Sequence, residues 1–157
     1  MNLINILLKI AEVFNRNNVT WAVGGSLLLY YYDILDSPND IDIIIDPKDE
    51  AIVFEIMNKL GIEKPSETIG NYKTGVFGKF DVSGVEVDII GDFFIKSKKG
   101  YYLHPFPPKE LKIIKENNIE IFLDSLENWL ETYRAMGDPK NRVKLIDGYL
   151  NNEKGMC

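Results

Sequence analysis

Apolar residues at Ile4, Leu7, Leu8, Ala11 and Phe14 recur at steps of three and four. That spacing predicts an amphipathic helix over residues 3–16. Asn17-Asn18 ends it and leads into a short apolar strand at 19–23, and from Leu27 to about Tyr32 the pattern turns helical again. Then the period drops to two. Ile41, Ile43 and Ile45 alternate with Asp40, Asp42 and Ile44, which predicts a strand over 40–45 with Asp40 and Asp42 on one face and the odd-numbered isoleucines on the other. Asp46 is placed to cap the next helix, with Pro47 at its first position and Asp49 and Glu50 near its positive end. That helix reaches Leu60, and Gly61 stops it.

Residues 63–74 are polar and glycine-bearing, and read as an irregular loop. Residues 77–82 and 85–90 flank Ser83-Gly84 at hairpin spacing, so they are expected as antiparallel neighbours. Further hairpins are expected at Lys98-Lys99-Gly100 and at Asn117-Asn118. Asp124-Ser125-Leu126-Glu127 is a capping-box pattern opening a helix to Ala135. Gly137-Asp138-Pro139 breaks that helix, and a last one runs to about Leu150, followed by a fraying tail. An early strand–helix unit, mixed strand directions and flanking helices give an α+β fold around a mixed sheet, closed by two C-terminal helices. No repeat or shift of composition marks a boundary, so 1–157 is expected as one domain.

Candidate chemistry gathers at three places. Gly24 and Gly25 fall at a strand-to-helix turn, where the backbone can approach a ligand closely and the free N–H groups of the helix start face an anion. Ser26 adds a hydroxyl at the expected N-cap, able to bond phosphate or cap its own helix. Asp40 and Asp42 lie on one face of their strand, roughly 6.5–7 Å apart at the Cα atoms. Asp88 lies in the alternating run Val85-Glu86-Val87-Asp88-Ile89-Ile90. If the two strands are neighbours, the three carboxylates form a hard, oxygen-only site suited to Mg²⁺ or Mn²⁺. Asp42 stands within an isoleucine-rich strand, where an unpaired charge is costly.

This order of Gly-Gly-Ser, Asp-x-Asp and a strand-borne Asp resembles the nucleotidyltransferase superfamily that includes DNA polymerase β. The short chain is most similar to the minimal nucleotidyltransferases, with the lincosamide, aminoglycoside and abortive-infection toxin nucleotidyltransferases more distant. The resemblance covers roughly residues 19–92, and the helices at about 125–150 look like the terminal pair of small members. It implies nucleotide binding by Gly24, Gly25 and Ser26, and metal binding and catalysis by Asp40, Asp42 and Asp88. The implied reaction moves a nucleoside monophosphate from an NTP, such as ATP, to a hydroxyl acceptor with release of pyrophosphate. The acceptor is left open between a small molecule, a protein and an RNA. A non-catalytic nucleotide-binding module, or an antitoxin-type protein acting through a partner, is the alternative. Exposed apolar faces on the terminal helices would also permit a homodimer.

Composition narrows this picture. A net charge of −6 disfavours wrapping long nucleic acid through its phosphates. The basic groups Lys96, Lys98, Lys99, Lys109, Lys112 and Lys115 read as solvated surface. One cysteine, Cys157, suits a reducing cytoplasm. The apolar stretch at 3–14 is interrupted by Lys9 and Glu12, so neither a membrane span nor a signal peptide is expected. Other conspicuous residues have structural explanations. Glu86 is expected toward solvent or supporting the acids from behind rather than as a ligand, Asp92 in a turn after Gly91, His104 in a loop, and Trp21 and Trp129 in the core. Tyr30, Tyr31 and Tyr32 are compatible with stacking on a base or with packing on the sheet. Arg134 and Lys140 read as surface charge.

Overall fold

The computed structural model describes residues 2–65, 72–109 and 111–155. Helix α1 (Leu3–Arg16) leads to strand β1 (Trp21–Gly24), helix α2 (Gly25–Tyr31) and strand β2 (Ile41–Ile45). A 3₁₀ turn (Pro47–Asp49) precedes α3 (Glu50–Leu60), and five strands follow after one more short one: β3 (Ile62–Lys64), then β4 (Tyr72–Val82), β5 (Val85–Ser97), β6 (Gly100–Leu103), β7 (Lys112–Glu116) and β8 (Ile119–Leu123). Helices α4 (Leu126–Ala135) and α5 (Arg142–Gly155) close the chain.

The strands form one mixed sheet in the order β3-β4-β5-β2-β1-β8-β7. Strand β2 sits in its middle, antiparallel to β1 and parallel to β5. Strand β6 pairs with the far end of β5, along the edge that β2 uses nearer the start of β5. Helix α1 packs on β8 and α3, while α4 packs on α5, β5 and α2. One apolar cluster unites the layers. It holds Phe14 and Trp21 with Ile41, Ile43, Ile44 and Ile45, all essentially inaccessible to solvent. The isoleucine-rich strand is therefore buried on both faces, which is the setting that makes Asp42 costly unless something offsets its charge.

Most expected turns form. Ser83 and Gly84 both take positive φ between β4 and β5, and Asn117 and Asn118 do the same between β7 and β8, as two-residue hairpin turns require. Asp46 accepts from the Lys48 N–H at 3.0 Å and caps the 3₁₀ turn before α3. Several expectations need correction. Glu63 and Lys64 are strand rather than loop because β4 is long enough to pair with them. Of the rest of the expected loop, Pro65 is in no strand, 66–71 lie outside the described residues, and from Tyr72 the chain is β4. Asp92 is in β5, not in a turn. It takes φ 48° opposite Gly75, where the missing side chain leaves it room. The cap of α4 is Ser125, whose Oγ accepts from the Asn128 N–H at 3.1 Å. The final helix continues past Leu150 to Gly155, so the expected fraying does not begin at Asn151.

Candidate active site

The sheet register assembles the site. Gly24 pairs with Asp42 across β1 and β2, Asp42 with Asp88 across β2 and β5, and Asp88 with Lys79 across β5 and β4. Residues paired in this way project from the same face, so four strands contribute one row: Gly24, Asp42, Asp88, Lys79. Asp40, one residue ahead of β2, reaches the same place. Oxygens from Asp40, Asp42 and Asp88 all lie within 4.8 Å of one another. The three acids that the sequence singled out therefore converge, and Asp88 stands on the same side as the other two.

Each acid is held in an unfavourable setting for its charge. Burial pushes the Asp42 carboxyl well above the usual carboxylate range, and the charges of Asp40 and Asp88 push it further. Asp40 is also raised, first by burial and then by Glu86, against the lowering pull of Lys140, Arg142 and Lys79. Asp88 is raised to about 6, chiefly by burial. Its Oδ1 is buried with no hydrogen-bond partner, and the nearest cation is Lys79 Nζ at 3.9 Å. A buried, unsatisfied carboxylate oxygen beside two further carboxylates is a strongly unfavourable arrangement until a cation enters it. Three hard oxygen donors from monodentate acids suit Mg²⁺ or Mn²⁺ better than a soft-ligand metal.

The glycine turn is built around the same acids. Gly25 begins α2 at φ 59°, and a Cβ there would overlap Asp42 Oδ2. Glycine is thus required twice, for the backbone angle and for the approach of the carboxylate. A Cβ on Gly24 would run into the Trp129 ring. Ser26 differs from expectation. The cap position of α2 belongs to Gly24, and Ser26 lies buried inside the first turn. Its Oγ accepts from the Asn39 N–H at 3.1 Å, which ties α2 to the turn that delivers Asp40.

Basic groups that the sequence reading passed over face this cluster. Lys79 Nζ lies 3.4 Å from Glu86 and 3.9 Å from Asp88. Burial lowers the Lys79 ammonium, but Asp88 and Glu86 outweigh it and leave the group raised and charged. Its position was recoverable, because the two-residue turn at Ser83-Gly84 fixes the register that puts Lys79 opposite Asp88. Arg142 opens α5, is nearly buried, and donates from Nη1 to the Tyr133 hydroxyl at 2.9 Å. Asp138 Oδ1 accepts from the Arg142 and Val143 N–H groups at 2.7 and 3.1 Å, fixing the start of that helix. Arg134 instead bridges to Glu131 and Asp147 on the outer side.

His104 lies in the loop after β6, as expected, and is buried there. Its Nε2 donates to Asp124 Oδ2 at 2.7 Å, and its Nδ1 lies 2.6 Å from Thr132 Oγ1. Trp129 Nε1 donates to the same Asp124 oxygen at 2.9 Å, and the Ser125 N–H donates to Oδ1 at 2.8 Å. Trp129 is core, as expected, and this network holds its ring against Gly24. Nothing in the local sequence around His104 signals its burial, because its partners come from the residue after β8 and from α4.

No protein-family model and no curated protein sequence matches the chain. Its fold does match solved structures. A candidate nucleotidyltransferase from Thermotoga maritima superposes with a TM-score of 0.72 at 22% identity, covering 95% of this chain and 92% of that one. ANT(2″)-Ia, solved with adenylyl-2″-tobramycin, gives 0.67 at 14% identity over 96% and 90%. The lincosamide antibiotic adenylyltransferase LnuA, bound to lincomycin, gives 0.63 at 14% identity over 92% and 96%. Near-complete coverage in both directions at these scores makes the architecture of this chain the nucleotidyltransferase fold.

Proposed function

We propose that this protein is a Mg²⁺- or Mn²⁺-dependent nucleotidyltransferase, acting as one domain over 1–157. It would transfer a nucleoside monophosphate from an NTP to a hydroxyl acceptor and release pyrophosphate. The observation that carries this reading is the meeting of Asp40, Asp42 and Asp88 within 4.8 Å, beside a glycine turn in which Gly25 yields its Cβ space to Asp42. The nucleotidyltransferase fold of the chain supports the same reaction class. ATP is the donor favoured by analogy with the two structures named for adenylyl chemistry.

In this reading Asp40, Asp42 and Asp88 hold the metal. A bound divalent cation supplies charge neutralisation for the triphosphate and a lowered pKa for the attacking hydroxyl. The Gly24 and Gly25 backbone holds the β- and γ-phosphates. Ser26 keeps the Asp40-bearing turn in place through Asn39 and has a hydroxyl proton left to donate toward phosphate. Arg142 and Lys140 offset the negative charge from the side of α5, which steadies a site that must accept a polyanion next to three acids. Asp88, whose Oδ1 has no hydrogen-bond partner, is placed to take the acceptor proton. The acceptor oxygen forms a bond to the α-phosphorus while the bond from that phosphorus to the β-phosphate oxygen breaks, and pyrophosphate departs.

The acceptor is a small hydroxylated molecule, a protein hydroxyl or an RNA 3′ end. Among the described residues no helix is long and apolar enough to cross a membrane; the cytoplasm is the proposed setting because the one cysteine, Cys157, suits a reducing compartment. The test is incubation with Mg²⁺, each α-labelled NTP and cell extract. Label carried to a discrete acceptor, lost on chelation and in Asp42→Asn, supports the reading. Nucleotide bound without label transfer or pyrophosphate release points to a non-catalytic binding module.

A further inference from the structure

The row that joins Gly24, Asp42 and Asp88 does not stop at the acids. Its next member is Lys79, paired in register with Asp88. Among the described residues, Lys79 is the one cation within ion-pair distance of any of the three acids, at 3.9 Å from Asp88 Oδ1. That oxygen is the buried one with no hydrogen-bond partner. Lys79 is also tethered by Glu86, at 3.4 Å and on the same side of the hairpin. The ammonium is therefore held in place from one side and leans toward the acids on the other. An ordinary surface ion pair with Glu86 would need none of this alignment.

We propose that Lys79 is a resident counter-ion of the acidic cluster, competing with divalent metal for Asp88. This rests on the reading of the cluster as a metal centre. The ammonium is too long for a hydrogen bond to Asp88, so it offsets the charge without saturating the oxygen. It lies 3.9 Å from Asp88 Oδ1 and opposes a second positive charge arriving there. Metal affinity at this corner is consequently set low in the free protein, and the negative charge of a bound triphosphate restores it. Lys79 is a positioning residue here, acting through Asp88.

The inference has an unusual sign: removing a charged residue from the site strengthens ligand binding. A unit charge acting on a divalent ion a few ångströms away through water-like screening is worth about 1–1.5 kcal/mol, roughly a tenfold change in affinity. The experiment is Mn²⁺ titration of the whole protein at about pH 8, with free Mn²⁺ read by electron paramagnetic resonance. The native protein, Lys79→Met, Lys79→Gln, Lys79→Arg and Asp42→Asn are compared, with circular dichroism melts to check folding. The expected result is about 5–10-fold tighter Mn²⁺ binding in Lys79→Met and Lys79→Gln, and near-native binding in Lys79→Arg. Unchanged or weaker binding in both neutral variants, with the native protein still binding Mn²⁺ in a manner lost in Asp42→Asn, overturns the role of Lys79 and leaves the metal centre standing. If no variant binds Mn²⁺, with or without a non-hydrolysable NTP, the metal centre itself fails and the role of Lys79 fails with it.

Discussion

Two clusters of ionisable groups lie beneath the same glycine turn and are built on opposite principles. Around Asp124, every polar atom is matched: His104, Trp129 and the Ser125 N–H fill its carboxylate, and Thr132 meets the far side of the imidazole. Around Asp42 and Asp88 the charges face one another, and one buried oxygen has no partner. A polar network satisfied by its own chain stabilises and orients. A cluster that the chain leaves unsatisfied costs stability until a cation enters it. Trp129 joins the two, anchored in the first and pressed on Gly24 in the second.

The largest test of this contrast is Asp42→Asn. Transfer activity should fall by at least about a hundredfold, as expected when a group holding the reacting charges is lost. Thermal stability should hold or rise, because a charge raised well above its usual range by burial is removed. Label transfer and a melting curve measure both, and a severe loss of stability would mean that Asp42 is structural instead.

Next in size is Gly25→Ala. A Cβ at φ 59° is strained and collides with Asp42. Stability should fall by about 1–3 kcal/mol, and nucleotide binding should weaken with it, both read by urea unfolding and titration. His104→Leu should behave differently. It leaves Asp124 and Thr132 each short of a partner, costing about 1–3 kcal/mol in urea unfolding. Metal affinity of the variant under native conditions should remain close to that of the parent. Loss of metal binding without loss of stability would break the distinction between the two clusters.

The smallest effect is a dependence on pH. Asp88 binds its proton more tightly in the fold, at about 6, than in the unfolded chain, at 3.8. Its contribution to metal-free stability is therefore fully present below about pH 4 and is lost as pH rises through about 6. Metal binds the ionised form and works in the other direction. The rise in melting temperature on adding Mg²⁺ should accordingly be greater at about pH 8 than at about pH 5. An equal rise at both values would mean that Mg²⁺ acts away from these acids.

The parts of the site legible in the sequence are those with local signals. The alternation of Ile41, Asp42 and Ile43 defined a strand and its faces, and Ser83-Gly84 defined the hairpin whose second strand carries Asp88, while the pairing of that strand with β2 was only a condition. The Gly24-Gly25 turn was visible from the change of period on either side of it. What stayed hidden depends on contacts between distant segments. His104 was legible as a loop residue but its burial was not, because its partners are Asp124, just after β8, and Thr132 on α4; Asp124 looked like a helix cap because its bonds to His104 and Trp129 leave no trace nearby. Ser26 was assigned to the cap because the turn was expected to end two residues later than it does. Glu63 and Lys64 looked irregular because the strand β3 that they join is short, exposed and formed only by pairing with β4.

The most direct measurement is a crystal structure of the native protein with Mn²⁺ and a non-hydrolysable NTP, using anomalous scattering to locate the metal. Density within about 2.0–2.4 Å of oxygens from Asp40, Asp42 and Asp88, with the triphosphate against Gly24 and Gly25, is the predicted result. Manganese bound elsewhere, or a nucleotide lodged away from the glycine turn, would contradict it.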